Sequence, residues 1–226
     1  MDPGTEAIVR LAWSRRLGLA DQALSGSGRS TGVHDGMLMG VVLAGSSAAM
    51  GPASLSAAMA ELSDDELTDG PTLLSLAGGH GRLLGEAILS FTDTYVADSG
   101  WTSVEVDDDP GAIGELERRC PPDDVLEVGL AQLDWRFAVR DESDTPVAGA
   151  GFEEWEQILG HLGVLTAPAA RRQGWATRAA AVATNEALDR GLIPQWRRRT
   201  DNAASAALAA KLGYRVLGRQ ATVLLS

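Results

Sequence analysis

The sequence predicts an α/β (or α+β) protein, and three observations support this fold class. Short apolar segments that suit strands alternate along the chain with amphipathic or alanine-rich segments that suit helices. Turn-forming Gly, Pro and Asp residues separate these segments at short intervals. The chain has 226 residues, of which 45% are hydrophobic, so it can bury a sizeable core. We therefore expect one large or two small domains.

Helical and strand periodicities are both present in the N-terminal part of the chain. Apolar positions on one face predict a helix over about residues 6–19. Residues 33–51 fit two strands of a hairpin, with Asp35 and Gly36 at the turn. A helix should begin at Pro52, because proline is favoured at the first helical position. This part therefore combines helices with at least one antiparallel pair of strands.

In the middle of the chain, turn-forming and capping residues mark the ends of the predicted elements more clearly. A strand over 101–106 is followed by a helix from Pro110 and by a second helix over 122–133, which has acidic residues in its first turn. Strands are predicted over 134–141 and 146–155, joined by a polar turn. The predicted order is therefore strand, two helices and two strands.

A glycine loop joins a short apolar strand at 162–166 to an Ala-rich helix that should run over about 173–190. Backbone N–H groups at a helix N-terminus lack intrahelical partners, so an anion placed there can satisfy several of them. Arg171, Gly174 and Ala176 have the spacing R-x-x-G-x-A, in which the small residues let a ligand approach the backbone. The loop therefore predicts a phosphate site.

The same spacing occurs earlier in the chain, at Arg82, Gly85 and Ala87. A pattern with so few fixed positions is a weak signal by itself. Context separates the two copies, because only the later one has a strand before it and a helix after it.

Further landmarks follow the later loop in order. Its helix should stop at Gly191, a strand fits 192–199, and Asp201 should cap a second helix that closes at Gly213. A final strand fits 214–225.

This series resembles the acyl-CoA-binding core of the GNAT superfamily of N-acetyltransferases. The loop matches the family's pyrophosphate loop, Asn202 matches an Asn that contacts the pantetheine arm, and the segment from Lys211 to Tyr214 matches the K-L-G-F/Y signature. The resemblance implies the GNAT fold, a mixed central sheet flanked by helices, with acetyl-CoA as co-substrate and no metal.

The resemblance also predicts a division of the chain into two domains. The element order expected of a GNAT core begins near residue 98, so we predict an α/β subdomain over 1–98 and an acetyltransferase domain over 99–226. One interpretation of the N-terminal subdomain is a degenerate second GNAT-like copy, with 82–87 as its vestigial loop.

Cofactor-binding residues are carried over position by position. The resemblance implies that the pantetheine amides pair with the strand before the loop, and that the pyrophosphate binds the loop and the helix start. The implied residues are Val164, Leu165, Thr166, Arg171, Arg172, Gln173, Gly174, Trp175, Ala176, Thr177, Asn202 and Ser205.

Two residues are candidates for catalysis. His161 lies on the strand before the loop, and its ordinary pKa near 6.5 would let the neutral ring accept a proton from the amine. A packed core histidine is the alternative. Among Glu153, Glu154 and Glu156, which end the preceding strand, Glu154 is preferred as a second base, and a solvated charge is the alternative.

One position departs from the family pattern. Many GNAT enzymes have a general-acid Tyr seven residues after the Asn, and here that residue is Ala209. The first hypothesis is an N-acetyltransferase that transfers acetyl to a primary amine by direct attack in a ternary complex. The second is a catalytically silent acyl-CoA-binding regulatory or interaction module.

Composition narrows the class of partner. The net charge of −12 argues against nucleic acid, because phosphate contacts need clustered Lys and Arg. The longest apolar run, 37–51, is interrupted by Gly and Ser and is shorter than a bilayer span, and no secretion signal is evident. The single cysteine, Cys120, fits a reducing cytoplasm. A homodimer stays open, since dimers are common among soluble enzymes.

Overall fold

The computed structural model describes residues 1–97 and 106–225. The chain forms two compact units. The first contains Met1–Phe91, Arg197–Ala206 and Arg215–Ser226, and the second contains Thr92–Trp196 and Ala207–Tyr214. The last strand therefore belongs with the N-terminal elements, although it follows the second unit in the sequence. The domain division near residue 98 stays a prediction.

Among the described residues, the first unit has four complete α-helices and the first turn of α8 (Ala203–Lys211). Helix α1 is capped by Asp2, whose carboxylate accepts the Gly4 N–H at 2.7 Å. Ser63 and Glu66 form a capping box at the start of α3. The helices are α1 (Pro3–Arg16), α2 (Ser56–Glu61), α3 (Asp64–Leu67) and α4 (Gly70–Leu76). The helix predicted over 6–19 exists but begins and ends three residues earlier. The helix predicted from Pro52 begins as a 3-10 turn over Ala53–Leu55, and its α-helical part starts at Ser56.

Five strands form the sheet of the first unit: β1 (Arg29–Val33), β2 (Met37–Leu43), β3 (Ser46–Gly51), β4 (Gly81–Phe91) and β10 (Arg215–Leu225). Their order is β1-β3-β2-β10-β4. The β1–β3 pair is parallel and the other pairs are antiparallel. One face buries Leu38, Ala221 and Val223 against Leu67 and Leu73 of the helices.

Two expectations for this unit are wrong. The turn at Asp35 and Gly36 separates β1 from β2, but these strands do not pair, and the hairpin is formed by β2 and β3 around Ala44 and Gly45. Alternation alone cannot choose a strand's partner. Residues 82–87 lie inside β4 and not in a strand-to-helix loop, so they are no vestigial phosphate site.

The second unit contains the elements predicted for the middle of the chain. The strand expected over 101–106 lies outside the described residues except for Val106. The elements are β5 (Val106–Asp107), α5 (Pro110–Arg118), α6 (Pro122–Val128), β6 (Trp135–Arg140), β7 (Pro146–Trp155), β8 (Leu159–Thr166), α7 (Trp175–Asp189), β9 (Ile193–Arg199) and α8 (Ala203–Lys211). Strand β9 and helix α8 each run across the boundary between the units.

The sheet of the second unit is mixed. Its order is β9-β8-β7-β6-β5, with β8 and β9 parallel and the remaining pairs antiparallel. Alternation along β8 sends Leu162 and Val164 into the core under α7, and Leu165 into the core under α5. A Cβ on Gly163 would meet Val128 of α6, so His161, Gly163 and Leu165 share the face that α5 and α6 cover. The predicted mixed α/β class is confirmed.

Tyr214 packs inside the second unit. Its ring lies edge-on to Trp196 at 5.3 Å, and its hydroxyl is 2.9 Å from the Thr184 hydroxyl. Burial raises the pKa of Tyr214 well above its ordinary value. The signature tyrosine is therefore a structural residue.

The helices of the described residues were also compared with the length and hydropathy that a bilayer requires. None of them has both the length and the apolar character of a membrane-spanning helix.

Arg29 ties β1 to the helices of the first unit. Its guanidinium donates to the carbonyl oxygens of Met59, Ala60 and Leu62, near the end of α2, and forms an ion pair with Asp64 at 2.7 Å. Only 16% of its side chain is exposed. Removal of the guanidinium would leave three carbonyl oxygens and the Asp64 carboxylate without a donor at the same time. Arg29 therefore stabilises the start of the sheet far more than a surface ion pair does.

We expect Arg29→Leu to lower the free energy of unfolding by about 2–3 kcal/mol, since carbonyls and a carboxylate would be left without a donor. Arg15 is the matched control, because it pairs with Asp21 at 2.8 Å but its side chain is 43% exposed. Arg15→Leu should cost less than about 1 kcal/mol. Urea unfolding followed by circular dichroism measures both, and equal losses would contradict this account.

Candidate active site

The segment between β8 and α7 forms an exposed loop at the start of a helix. A short 3-10 turn over Pro168–Ala170 follows β8, and helix α7 begins at Trp175. Arg172 and Gly174 have φ values of 63° and 90°. Glycine adopts this left-handed region without strain, so Gly174 allows the chain to turn directly into the helix. The helix expected from about Gln173 therefore starts two residues later.

The start of α7 has the properties of an anion site. Within the described residues, no side chain caps this helix, and its first ladder bond runs from the Arg178 N–H to the Gly174 carbonyl at 3.2 Å. The N–H groups of the first turn thus have no intrahelical acceptor, and the helix dipole places positive potential there. A Cβ built on Gly174 would meet nothing within 4 Å, so a ligand can approach this backbone.

Strand β8 offers a second surface beside this helix start. Its ladder with β9 runs from the Leu159–Ile193 pair to the Leu162–Trp196 pair, whereas its ladder with β7 continues to Thr166. Residues 163–166 are therefore paired on one edge only. An extended ligand that carries amides can add to such an edge as a strand would.

The two arginines of the loop differ in what they contact. Arg171 forms an ion pair with Asp124 at 2.6 Å and donates to the Thr166 carbonyl at 3.3 Å. Its charge is thus already compensated. Arg172 is exposed, and no ion pair or hydrogen bond holds its side chain within the described part of the chain. Arg172 is the cation available to a phosphate.

Two other loop side chains stabilise the backbone. Gln173 donates from Nε2 to the Ala169 carbonyl at 2.9 Å, which closes the turn. Trp175 packs partly against both cores of the second unit, and the Arg178 guanidinium lies 4.5 Å from its ring centroid. These contacts fix the loop from both sides.

Asn202 and Ser205 lie in the first unit, at the start of α8. Asn202 accepts the Ser205 N–H at 2.9 Å, so Asn202 is the N-cap. Asp201 was expected to be this cap, but its carboxylate is paired with Arg199 at 2.8 Å, a contact that lowers the pKa of Asp201. Contact of Asn202 and Ser205 with an acyl-CoA stays a prediction.

His161 lies in a defined polar cluster of the second unit. Its ring stacks on Trp155 with centroids 4.2 Å apart, and its Nδ1 is 3.0 Å from Nε2 of Gln195. Glu153 is the cross-strand neighbour of His161 and accepts the Trp155 indole N–H at 2.7 Å. The structure thus brings His161, Trp155, Glu153 and Gln195 together.

Glu154 faces away from this cluster. Successive residues of β7 point to opposite faces, and Phe152 belongs to the core under α7, so Glu154 lies on the α7 face. The carboxylate on the face of His161 is Glu153. The sequence did not single out Gln195, although a glutamine inside an apolar strand is a signal, because a buried amide must find a partner.

Other candidate groups lie away from the helix start or are buried. Tyr95 donates to Asp189, the last residue of α7. A 15-residue helix is about 22 Å long, so Tyr95 lies far from Gly174. Ala209 is buried in the core. Burial also raises the pKa of the Cys120 thiol.

A shallow recess of about 510 Å³ adjoins the 3-10 turn. It lies between that turn and the connection of β6 to β7, and its wall includes Arg119, Asp141, Thr145, Gln173 and Trp175. The sequence did not predict this recess.

Among the described residues, no group of three or more His, Cys, Asp or Glu side chains could hold a metal ion.

Comparison with known proteins identifies a family that the part of the chain around α7 resembles. Residues 154–220 match the sequence model of the family described as GNAT acetyltransferase. Comparison with curated proteins finds no similar sequence.

Two crystal structures of similar fold are GNAT-family proteins. One, from Novosphingobium aromaticivorans and assigned as an acetyltransferase, is 19% identical with a TM-score of 0.52, and the match covers 65% of this chain and 68% of that one. A GNAT-family acetyltransferase from Colwellia psychrerythraea is 15% identical with a TM-score of 0.50, over 67% of this chain and 60% of that one. At these identities the likeness concerns the fold.

The family match covers the loop, α7, α8 and the signature tyrosine, which are the elements on which the predicted resemblance was based. The resemblance is therefore confirmed for residues 154–220, which match the GNAT acetyltransferase family model.

Proposed function

We propose that this protein is an acyl-CoA-dependent N-acyltransferase that transfers acetyl from acetyl-CoA to a primary amine by direct attack in a ternary complex. The observation that carries the proposal is the uncapped start of α7 at Gly174, next to the singly paired edge of β8. A helix start suits a pyrophosphate, and a strand edge suits the amides of a pantetheine arm.

The chain's own residues account for cofactor binding in this proposal. The N–H groups of Gln173, Gly174, Ala176 and Thr177 bind the pyrophosphate, and the Thr177 hydroxyl and Arg172 add a donor and a charge. Val164, Leu165 and Thr166 pair with the pantetheine amides. An N–H of Val164 or Leu165 also stabilises the negative charge that develops on the thioester oxygen during attack.

The reactive end of the cofactor would lie toward His161. Strand β8 runs from Leu159 to Thr166, so an arm that starts at the loop and follows the strand leads back to His161. The acceptor amine is mostly protonated at neutral pH, since alkylamines have a pKa of about 10.4, and it must lose a proton before attack. His161 is the proposed catalytic residue here, and Glu153 is the nearby carboxylate on its face, whereas the predicted Glu154 faces the other side.

A direct mechanism needs no covalent intermediate. Cys120 is the single cysteine of the chain, and the unactivated thiol is a poor nucleophile because burial raises its pKa. Cytoplasmic location, a primary amine as acceptor and a homodimer remain parts of the proposal.

We expect Gly174→Ala to weaken acetyl-CoA binding about tenfold or more, equivalent to about 1.4 kcal/mol. The Cβ of the new alanine would meet no protein atom within 4 Å, so it would occupy the open space through which the phosphates approach. Gly191→Ala is the matched control, because Gly191 also has a positive φ, 75°, and an unobstructed Cβ, but follows the other end of α7.

Isothermal titration with acetyl-CoA measures both variants. The cost of forcing alanine into a left-handed conformation should be similar in the two proteins, so unfolding midpoints without ligand serve as the internal check. Equal affinities of the two variants would show that the pyrophosphate does not bind at the start of α7.

Turnover is tested by the release of free CoA thiol from acetyl-CoA across a panel of primary amines. We expect amine-dependent release that His161→Asn lowers by a factor of about 10² or more, the range for loss of a side chain that acts on the reacting groups. Stabilisation by acetyl-CoA without thiol release from any amine would favour the silent binding module instead.

Cys120→Ala should retain amine-dependent turnover within about twofold, because the thiol is not the nucleophile in direct transfer. The same thiol-release assay measures it, with the unfolding midpoint as a check on folding. Loss of turnover in a folded Cys120→Ala protein would contradict direct attack.

A further inference from the structure

Gln195 is a fully buried polar residue in the strand next to His161. Its exposed fraction is 0%, and it lies in β9 at the register position opposite His161. In a parallel pair, residues at matching register positions point to the same face of the sheet. The amide of Gln195 therefore reaches the imidazole of His161 directly across the ladder.

The imidazole is held from two directions. Gln195 Nε2 lies 3.0 Å from Nδ1 of His161, and the indole of Trp155 stacks on the ring at an interplanar angle of 22°. Trp155 is in turn bound to Glu153 through its indole N–H. Rotation of the ring would break the contact at Nδ1 and the stack together, so its orientation is fixed.

The contact at Nδ1 links the orientation of the Gln195 amide to the position of the hydrogen on the ring. The nitrogen of an amide side chain is a donor and has no acceptor capacity. An amide N–H directed at Nδ1 requires Nδ1 to accept, so the neutral ring carries its hydrogen on Nε2.

We propose that Gln195 is a positioning residue of the transfer reaction: it holds His161 in the tautomer with hydrogen on Nε2. The neutral ring then offers its Nε2–H to the negative charge that develops on the thioester oxygen, and the proton that the amine loses goes to the carboxylate of Glu153 on the same face. This inference rests on the proposed function.

Strand β7 contributes Glu153 to the face of His161, and strand β9 contributes the neutral Gln195. An imidazolium would carry hydrogen on Nδ1 as well, and this hydrogen would oppose the amide N–H. An imidazolium at this position would require the Gln195 amide to turn its oxygen toward Nδ1.

The tautomer can be measured without ligand or turnover. Two-bond proton–nitrogen correlation spectra distinguish the two neutral forms, and the chain has only three histidines, so His161→Asn assigns the signal. We expect hydrogen on Nε2 in the wild type and a mixture of tautomers in Gln195→Leu. Hydrogen on Nδ1 in the wild type, or an unchanged single tautomer in the variant, would overturn the inference.

Gln220→Leu is the matched control, because Gln220 is also a buried strand glutamine, 7% exposed, but binds Arg197 instead of a histidine. It should leave the spectrum of His161 unchanged. Should Gln195→Leu fail to fold, Gln195→Glu provides the second variant. Its carboxylate would accept from Nδ1 and raise the titration midpoint of His161 by about one unit or more, and an unchanged midpoint would refute the contact.

Kinetics test the role in the reaction. Gln195→Leu should lower kcat for amine acetylation by about 10- to 100-fold, the range for residues that orient a functional histidine, with KM for acetyl-CoA unchanged. Turnover that is insensitive to Gln195→Leu would exclude the positioning role while leaving acyl transfer intact. Absence of turnover in the wild type would instead count against the proposed function, whatever the tautomer.

Discussion

The close packing of α7 on strands β7 and β8 is the constraint on which the candidate site depends. The buried face of α7 consists mainly of alanines, including Ala179, Ala183 and Ala187. A Cβ on Gly160 of β8 would lie 3.0 Å from the Ala187 side chain, so small residues on both sides permit this approach. The helix start is thereby held at a fixed distance from the edge of β8, and an anion site that must share a ligand with that edge needs this rigidity.

In the second unit, two pairs of polar side chains are in hydrogen-bonding contact inside the fold, and the two pairs have different consequences. Thr184 and Tyr214 contact each other in the core, where the hydroxyl of the signature tyrosine is used for packing. Gln195 and His161 make the corresponding contact on the other face, but His161 is only half-buried. Both pairs avoid the cost of an unpartnered buried polar atom, yet only the second keeps a titratable ring near solvent. The same physical requirement thus produces a structural pair and a candidate functional pair.

The family assignment and the local chemistry carry different kinds of information. The match over residues 154–220 shows which family that segment is similar to, and the solved structures show a similar fold. They do not specify the acceptor, since members of one fold differ in the groups placed around a common cofactor site. Such groups here are Glu153, His161 and Gln195, with Ala209 as a departure from the family pattern. Specific chemistry is therefore argued from these side chains.

The sequence by itself determined most of the local elements and the glycine loop that precedes α7. Glycine at 174, alanines at helical spacing and proline at helix starts depend on backbone sterics and on neighbours along the chain, which are visible without a structure. Only the tertiary structure decided which strands pair, that residues 82–87 form a strand, that Arg171 is neutralised by Asp124, and that Gln195 contacts His161. Each of these depends on strand register or on contacts between residues distant in sequence, and a period of two or of 3.6 residues gives the face of an element but not its neighbour.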